Sequence, residues 1–279
     1  MSEVKTSQLV ALVTGASSGI GKAIALQLLA DGYIVYVAAR RVEKMADLQK
    51  QGAIAIKMDI TNEDDVTNLV TTIKQQNSGV DFLINNAGFG SYGAMEDITI
   101  EDAKYQFDVN VFGLARITQA VLPYMREKKA GRIVNITSMG GKIYTPLGSW
   151  YHATKHALEG WSDCLRLELS PFGIDVIIIE PGIIKTEFAT VMLGPMLERS
   201  GNSAYGKMAH SIAQVMQNSY EQSVASDASV IAKTVSVALK AKKPQTRYAA
   251  GKFAKQLMFA RKWLGDRIFD KLIQRAMNI

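Results

Sequence analysis

Tyr151 and Lys155 stand one helical turn apart in the stretch WYHATK, thirteen residues after Ser138. Side chains four apart on a helix lie over the same face, so the Lys155 ammonium can sit beside the Tyr151 phenol. A free phenol has a pKa of about 10, which leaves roughly one in a thousand ionised at pH 7. Two unit charges about 4 Å apart at an effective dielectric of about 20 attract by roughly 4 kcal/mol, the size of a three-unit pKa shift. One lysine could therefore suffice to let this phenol handle protons at neutral pH.

The spacing alone decides little, because Tyr-x-x-x-Lys occurs three times, at Tyr124/Lys128, Tyr151/Lys155 and Tyr248/Lys252. Tyr248 and Lys252 span Gly251, a poor helix residue, and Tyr124 follows Pro123 near the end of a helical pattern. Only Tyr151 follows a strand-ending serine. Ser138 comes directly after the apolar run Arg132-Ile133-Val134-Asn135-Ile136-Thr137, which reads as a buried strand. Its hydroxyl would emerge at the strand's carboxyl end, where open α/β sheets bind ligands.

At the other end of the chain, the apolar run Leu9 to Val13 leads into Thr14-Gly15-Ala16-Ser17-Ser18-Gly19-Ile20-Gly21 and then an amphipathic pattern from Lys22 to Ala30. This reads as strand, glycine turn and helix. Gly15 permits the tight turn, Gly19 lets backbone approach a pyrophosphate, and Gly21 allows the helix to pack on the strand. The second apolar run, Tyr33 to Ala39, ends in Arg40-Arg41 about twenty residues later. A carboxylate there would bind a ribose 2′-hydroxyl, whereas an arginine accommodates a 2′-phosphate. The dinucleotide expected is NADP(H), unless the two arginines merely begin a solvated helix.

These groups need a frame. Apolar runs near 9–13, 33–39, 53–58, 80–85, 131–137, 173–180 and 245–249 alternate with helical patterns, which implies a parallel sheet in an α/β fold. Apolar runs are strand-sized, well short of the 18 or so residues needed to span a bilayer. Met1-Ser2-Glu3-Val4-Lys5 lacks an apolar signal region, and Cys164 is the single cysteine, so the expected location is the cytoplasm. The three histidines show no zinc-ligand spacing, and no metal is expected. His152 and His156 lie four apart on the tyrosine's helix, a spacing with which a metal pair is conceivable, but ordinary helix residues are the preferred reading.

In combination and order, TGASSGIG at 14–21, NNAG at 85–88, Ser138, YHATK at 151–155 and PGIIKT at 181–186 resemble the short-chain dehydrogenase/reductase family over about residues 8–250. The resemblance is to the type of roughly 250 residues that includes steroid- and retinol-dehydrogenase-like members. It implies a doubly wound Rossmann fold with a seven-stranded parallel sheet, helices on both faces and a helical C-terminal extension. Residues 1–250 would form the dehydrogenase domain and 251–279 the extension. The resemblance also implies that Tyr151 is the general acid/base and that Ser138 hydrogen-bonds the substrate carbonyl or alcohol. Lys155 would hold the nicotinamide ribose, and Asn110 would support a water in a proton relay. For the cofactor it implies Gly15, Ser17, Ser18, Gly19, Ile20, Gly21, Arg40, Asp59, Ile60, Asn86, Ala87, Gly88, Tyr151, Lys155, Pro181, Gly182, Ile184 and Thr186. Of these, Asp59 would contact adenine and Thr186 the carboxamide, while Asn85 would stabilise the central strand. Homodimers or homotetramers are expected.

Residues 187–225 read as an insertion carrying Met192, Leu193, Met196, Leu197, Met208, Ile212, Val215 and Met216. Flexible methionines suit an adaptable lid over an apolar substrate, and the same spacing equally suits simple core packing. The expected partner is a small carbonyl or alcohol, preferably hydrophobic. The alternatives are a small polar substrate, or a non-catalytic NADP(H)-binding redox sensor. From Lys240 onward the chain carries eleven Lys/Arg against two Asp/Glu, a net of +9, so the remainder carries −3 of the overall +6. This basic amphipathic tail could pack over the site mouth or a partner subunit, bind an anionic membrane, or bind nucleic acid, the last being least expected.

Overall fold

The structure, a computed structural model, describes residues 8–221 and 225–279. The amino-terminal Met1–Lys5 segment and residues 222–224 of the insertion lie outside them.

Along the first strand, β1 (Val10–Thr14), Ala11 and Val13 enter one core while Val10 and Leu12 enter another. Both faces are covered, which is why the run is apolar without alternation. The same holds along β2 (Ile34–Ala39) and β6 (Ile174–Pro181), and β3 (Ile54–Lys57), β4 (Phe82–Asn85), β5 (Gly131–Ile136) and β7 (Arg247–Ala250) complete the sheet. All neighbours are parallel, in the order β3-β2-β1-β4-β5-β6-β7. On one face pack α1 (Gly19–Ala30) and α2 (Ala46–Lys50), through Ile24, Leu28 and Leu48, with a later helix, Ser229–Lys240, joining through Ile231 and Val235. On the other are α3 (Glu63–Asn77), α5 (Leu114–Lys128) and α6 (Ser149–Leu169), with α4 (Ile100–Phe107) leading into α5. The chain runs outward from β1 to β3 and then resumes at β4 on the other side, so the topological switch falls between β1 and β4. This is the doubly wound Rossmann arrangement, and ligands bind in the crevice beyond that point.

The insertion forms α7 (Phe188–Ser200) and α8 (Gly206–Glu221), followed by α9, the Ser229–Lys240 helix. The tail is α10 (Ala254–Ala276), bent at Gly265, whose φ of 69° and ψ of 170° no helix interior allows. Phe269 and Ile273 of α10 are buried against Ile143, with Met139 and Tyr144 alongside, on the segment that follows β5. The Tyr144 hydroxyl donates to Asp270 Oδ1 at 2.9 Å, and Ser211 Oγ on α8 donates to the Met277 carbonyl at 2.8 Å. The tail is thus tied to both the Ser138 turn and the insertion. Among the described residues, no helix is long and apolar enough to cross a membrane.

Candidate active site

The glycine turn closes on itself. Gly15 has φ +66°, and its N–H donates to the Ala38 carbonyl at 2.8 Å. A β-carbon at Gly21 would come within 2.4 Å of Asn86 Nδ2 and 2.5 Å of the Gly15 carbonyl. Asn86 donates through Nδ2 to the Thr14 and Gly15 carbonyls, while Thr14 Oγ1 accepts from the backbone of Asn86 and Ala87. Turn and β4 are stitched together. Ser18 precedes α1 in an extended conformation with no side-chain cap, so the first N–H groups of the helix face outward from the turn. Across the crevice, a β-carbon on Gly19 would meet Thr186 Cγ2 at 3.1 Å. Gly182, after β6, donates to the Ala250 carbonyl at 2.8 Å, and Ile184 is buried.

At the end of β2 the two arginines part. Arg40 Nη1 donates to the Tyr105 hydroxyl at 2.8 Å. Arg41 Nη2 instead reaches Ser17 Oγ and Ser18 Oγ, both at 3.4 Å, and pairs with Glu187 Oε2 at 3.3 Å. Asp59 Oδ1 accepts from the Thr61 N–H and hydroxyl, and the Ile60 carbonyl accepts from Arg116 at 3.0 Å.

Beyond β4 and β5, four predicted groups are fixed by their neighbours. Asn110 lies in a π-helical turn, Asp108–Gly113, between α4 and α5, and such turns are frequent at functional sites. Its Oδ1 accepts from the Phe89 N–H at 3.0 Å, and its Nδ2 donates to the Phe89 carbonyl at 2.9 Å and to Thr154 Oγ1 at 3.1 Å. A β-carbon on Gly88 would come 3.1 Å from Asn110 Oδ1 and 3.9 Å from Lys155 Nζ. Lys155 is buried and donates to the Ile136 carbonyl at 3.0 Å. Burial pulls its pKa down to about 8, against the upward pull of the Glu159 carboxylate. Ser138 Oγ accepts from the Gly140 N–H at 2.9 Å and keeps its own proton to donate. The Tyr151 ring is buried between Tyr92, His152 and Phe188, with each centroid 5.6 Å away. Asn85 Nδ2 bonds Thr118 Oγ1 and Asn135 Oδ1, tying β4 to β5 and α5.

Two residues acquire roles that the sequence did not suggest. His152 Nε2 accepts from the Thr145 N–H at 3.0 Å, so Nδ1 carries the proton and donates to the Gly140 carbonyl at 2.9 Å. Burial holds its pKa below the usual histidine value, and the neutral ring braces the turn that carries Ser138. Glu159, one turn past Lys155, accepts from Thr137 Oγ1 at 2.7 Å and pairs with Lys142 and Arg247 at 3.0 and 3.1 Å. Neither contact has a local sequence signal, since each partner is distant along the chain or across a turn.

Arg247 also lies 3.6 Å from buried Glu180, whose pKa is pushed up to about 7 by burial and then by Glu159. The folded state therefore binds the Glu180 proton more tightly than the unfolded chain does, and stability from this group falls as pH rises from about 4.5 to about 7. Glu180→Gln should melt about 2–4 °C higher than wild type at pH 8, with the difference gone below about pH 4.5. Thermal denaturation across that range checks it.

The insertion closes over the tyrosine. Met192, Met196, Ala209 and Ile212 are buried in one cluster with Tyr151, Tyr92 and Leu147, with Phe188, Leu193, Met208 and Met216 packed around them. Beside His152 opens a cleft of about 420 Å³, whose walls include Met95, Tyr144, Leu147, Tyr205 and Met208.

The short chain dehydrogenase family profile matches residues 9–193. The chain is 41% identical to the 3-ketodihydrosphingosine reductase of Bacteroides thetaiotaomicron over 63% of its length and 64% of that protein's. It is 31% identical to the NADPH-dependent 3-dehydrocapnine reductase of Ornithobacterium rhinotracheale over 96% and 97%. The crystal structure of a short-chain dehydrogenase from Streptomyces avermitilis superposes with a TM-score of 0.81 at 34% identity, covering 97% of both chains. With the family profile over residues 9–193, and the glycine turn, Ser138, Tyr151 and Lys155 following one another along a parallel sheet, the chain belongs to the short-chain dehydrogenase/reductase family of oxidoreductases.

Proposed function

We propose that this protein is an NADP(H)-dependent oxidoreductase interconverting a carbonyl and an alcohol on an apolar substrate, with Tyr151 as general acid/base. One observation carries the reading: an apolar lid wraps the Tyr151 ring on the helix where Lys155 lies buried, near Gly88 and Asn110. The names of two relatives, which specify reduction of 3-ketodihydrosphingosine and NADPH-dependent reduction of 3-dehydrocapnine, support it.

The cradle fits a dinucleotide, because the α1 N–H groups beside Gly19 are uncapped and side chains larger than hydrogen at 15 and 21 would strike backbone or Asn86. Gly15, Ser17, Ser18, Gly19 and Ile20 would hold the pyrophosphate, and Gly21 keeps the helix close to the turn. Arg41, assisted by Arg40, would hold the 2′-phosphate. Asp59 and Ile60 would flank adenine, and Asn86, Ala87, Gly88 and Lys155 the nicotinamide ribose. Pro181, Gly182, Ile184 and Thr186 would line the nicotinamide. When bound, the nicotinamide gives or takes a hydride at its C4. Tyr151 donates its phenolic proton to the substrate oxygen, and the Ser138 hydroxyl hydrogen-bonds the same oxygen. Lys155, aimed by the Ile136 carbonyl, favours the phenolate left behind. Asn110 holds the Phe89 turn against Thr154 of the catalytic helix, so that Gly88 and Lys155 keep their spacing. The assembly read from the family is a homodimer or homotetramer. Cys164, with no partner cysteine in the chain, supports a reducing cytoplasmic setting.

NADPH oxidation against a panel of ketones and aldehydes tests the reading. Catalytic efficiency should rise with apolar chain length, and a small polar carbonyl as best substrate would refute the lid's role. Arg41→Ala should raise KM for NADPH by about ten- to hundredfold and leave KM for NADH unchanged, the size expected for a lost charge-assisted bond. A wild-type enzyme that prefers NADH would end the NADP assignment.

A further inference from the structure

The outer face of α10 has no partner among the described residues, although its inner face is firmly packed. Phe259 and Trp263 are each 65% exposed and Ile268 57%, with Phe253 and Leu264 also exposed. Phe259 and Trp263 lie four apart, with ring centroids 6.2 Å apart, so they form one aromatic ridge. Cations flank it. Lys262 Nζ sits 5.2 Å from the Trp263 ring centroid, and Lys252 Nζ 5.6 Å from that of Phe253. The two acids of the tail are already engaged: Asp266 pairs with Arg261 at 2.7 Å, and Asp270 accepts from Tyr144. Among the described residues, Lys255, Lys262, Arg267, Lys271 and Arg275 have no carboxylate partner, so the ridge lies in a field of uncompensated positive charge.

We propose that this face of α10 docks on an anionic phospholipid bilayer, with Phe259, Trp263 and Ile268 entering the headgroup–acyl boundary. Charge complementarity selects this occupant. A second copy of the tail would bring one +9 segment against another, where like charges oppose contact. A nucleic acid would neutralise the cations but leave the aromatic ridge in water. A bilayer with anionic headgroups satisfies both features at once, since apolar burial and electrostatic attraction act together for a basic amphipathic helix lying in the interface. Tryptophan and phenylalanine rings suit that depth. The Gly265 bend lets the two arms of α10 follow the core on one side while their outer residues remain available on the other. Tyr144, which packs on Phe269, also walls the cleft beside His152, so docking would bring the bilayer close to that opening. The docking stands whether or not the substrate is apolar.

The full-length protein is mixed with sedimenting vesicles of phosphatidylglycerol and phosphatidylcholine, or of phosphatidylcholine alone. It should pellet with the anionic vesicles, lose at least about tenfold in affinity without phosphatidylglycerol or in about 0.5 M NaCl, and lose as much in Phe259→Ser/Trp263→Ser. Both substituted residues are exposed, and circular dichroism of the variant should match wild type. Brominated lipid should quench the intrinsic fluorescence of wild type but spare that of Trp263→Phe, whose remaining emission comes from Trp150 and Trp161. Absence of binding to anionic vesicles overturns the proposal, as does unchanged binding by the double variant. Sedimentation equilibrium showing that the double substitution dissolves a dimer, with lipid binding unaltered, assigns the ridge to self-association and likewise overturns it.

Discussion

Tyr151→Phe should lower kcat by about 10³-fold while leaving the Kd for NADPH within about twofold, because it removes one hydroxyl and keeps the ring. The ring contacts with Tyr92, His152 and Phe188 are made by carbon edges and faces that phenylalanine retains. What disappears is the proton, and a positioned acid or base contributes about 10²–10⁴-fold. No neighbouring phenol can take over. Tyr92 is the nearest candidate, and burial, reinforced by Tyr151 beside it, drives its pKa upward, so it stays protonated through the neutral range. Stopped-flow transfer from NADPH should lose its fast phase, while fluorescence titration still reports cofactor binding. Turnover that survives the change would remove Tyr151 from the chemistry, whereas loss of NADPH binding along with turnover would mean that the ring has a structural role in the cradle.

The other two Tyr-x-x-x-Lys pairs lack the context that singles this one out. Tyr124 is the cover for Gly79, where a β-carbon would strike its ring at 2.3 Å, and Lys128 is paired to Asp81. Tyr248 lies in β7, and its hydroxyl accepts from the Gln245 N–H. In neither place does the pair stand on a helix at the carboxyl end of the sheet.

Sheet and glycine turn were legible because their signals are local. A strand covered on both faces reads as a near-continuous apolar run, and β1, β2, β5 and β6 lie within about two residues of where their runs placed them. At Gly21 part of the steric demand is local, set by the Gly15 carbonyl of the same turn, whereas the Ala87 backbone and Asn86 that crowd Gly15 come from beyond β4. The division of labour between Arg40 and Arg41 was not legible. Consecutive residues leaving a strand point to different sides, and only the positions of Tyr105 and Ser17 decide which arginine faces the turn. The same limit hid Glu159, whose partners come from the segment after β5 and from β7. The Gly265 bend has no sequence signal of its own, because an isolated glycine in an amphipathic run also fits a straight helix.

Lys155→Met should lower kcat/KM by about 10²–10³-fold, the second largest loss expected, and its pH dependence distinguishes the lysine's charge from its bulk. Methionine keeps an unbranched chain of similar length but no cation. Burial depresses the Lys155 pKa from 10.5 to about 8, with Glu159 opposing the fall. Wild-type kcat/KM should therefore decline above about pH 8, as Lys155 gives up the proton that favours the Tyr151 phenolate. The stability consequence has the opposite direction from that of a salt-bridged lysine. Because the folded pKa is lower than the unfolded one, the cost of burying the charge is complete below about pH 8 and fades between about 8 and 10.5. The melting temperature of Lys155→Met relative to wild type should accordingly be highest at pH 7 and fall steadily up to pH 10.5. A difference that stays flat across that interval would mean that the ammonium carries no burial cost. The alkaline loss of activity would then need another titrating group.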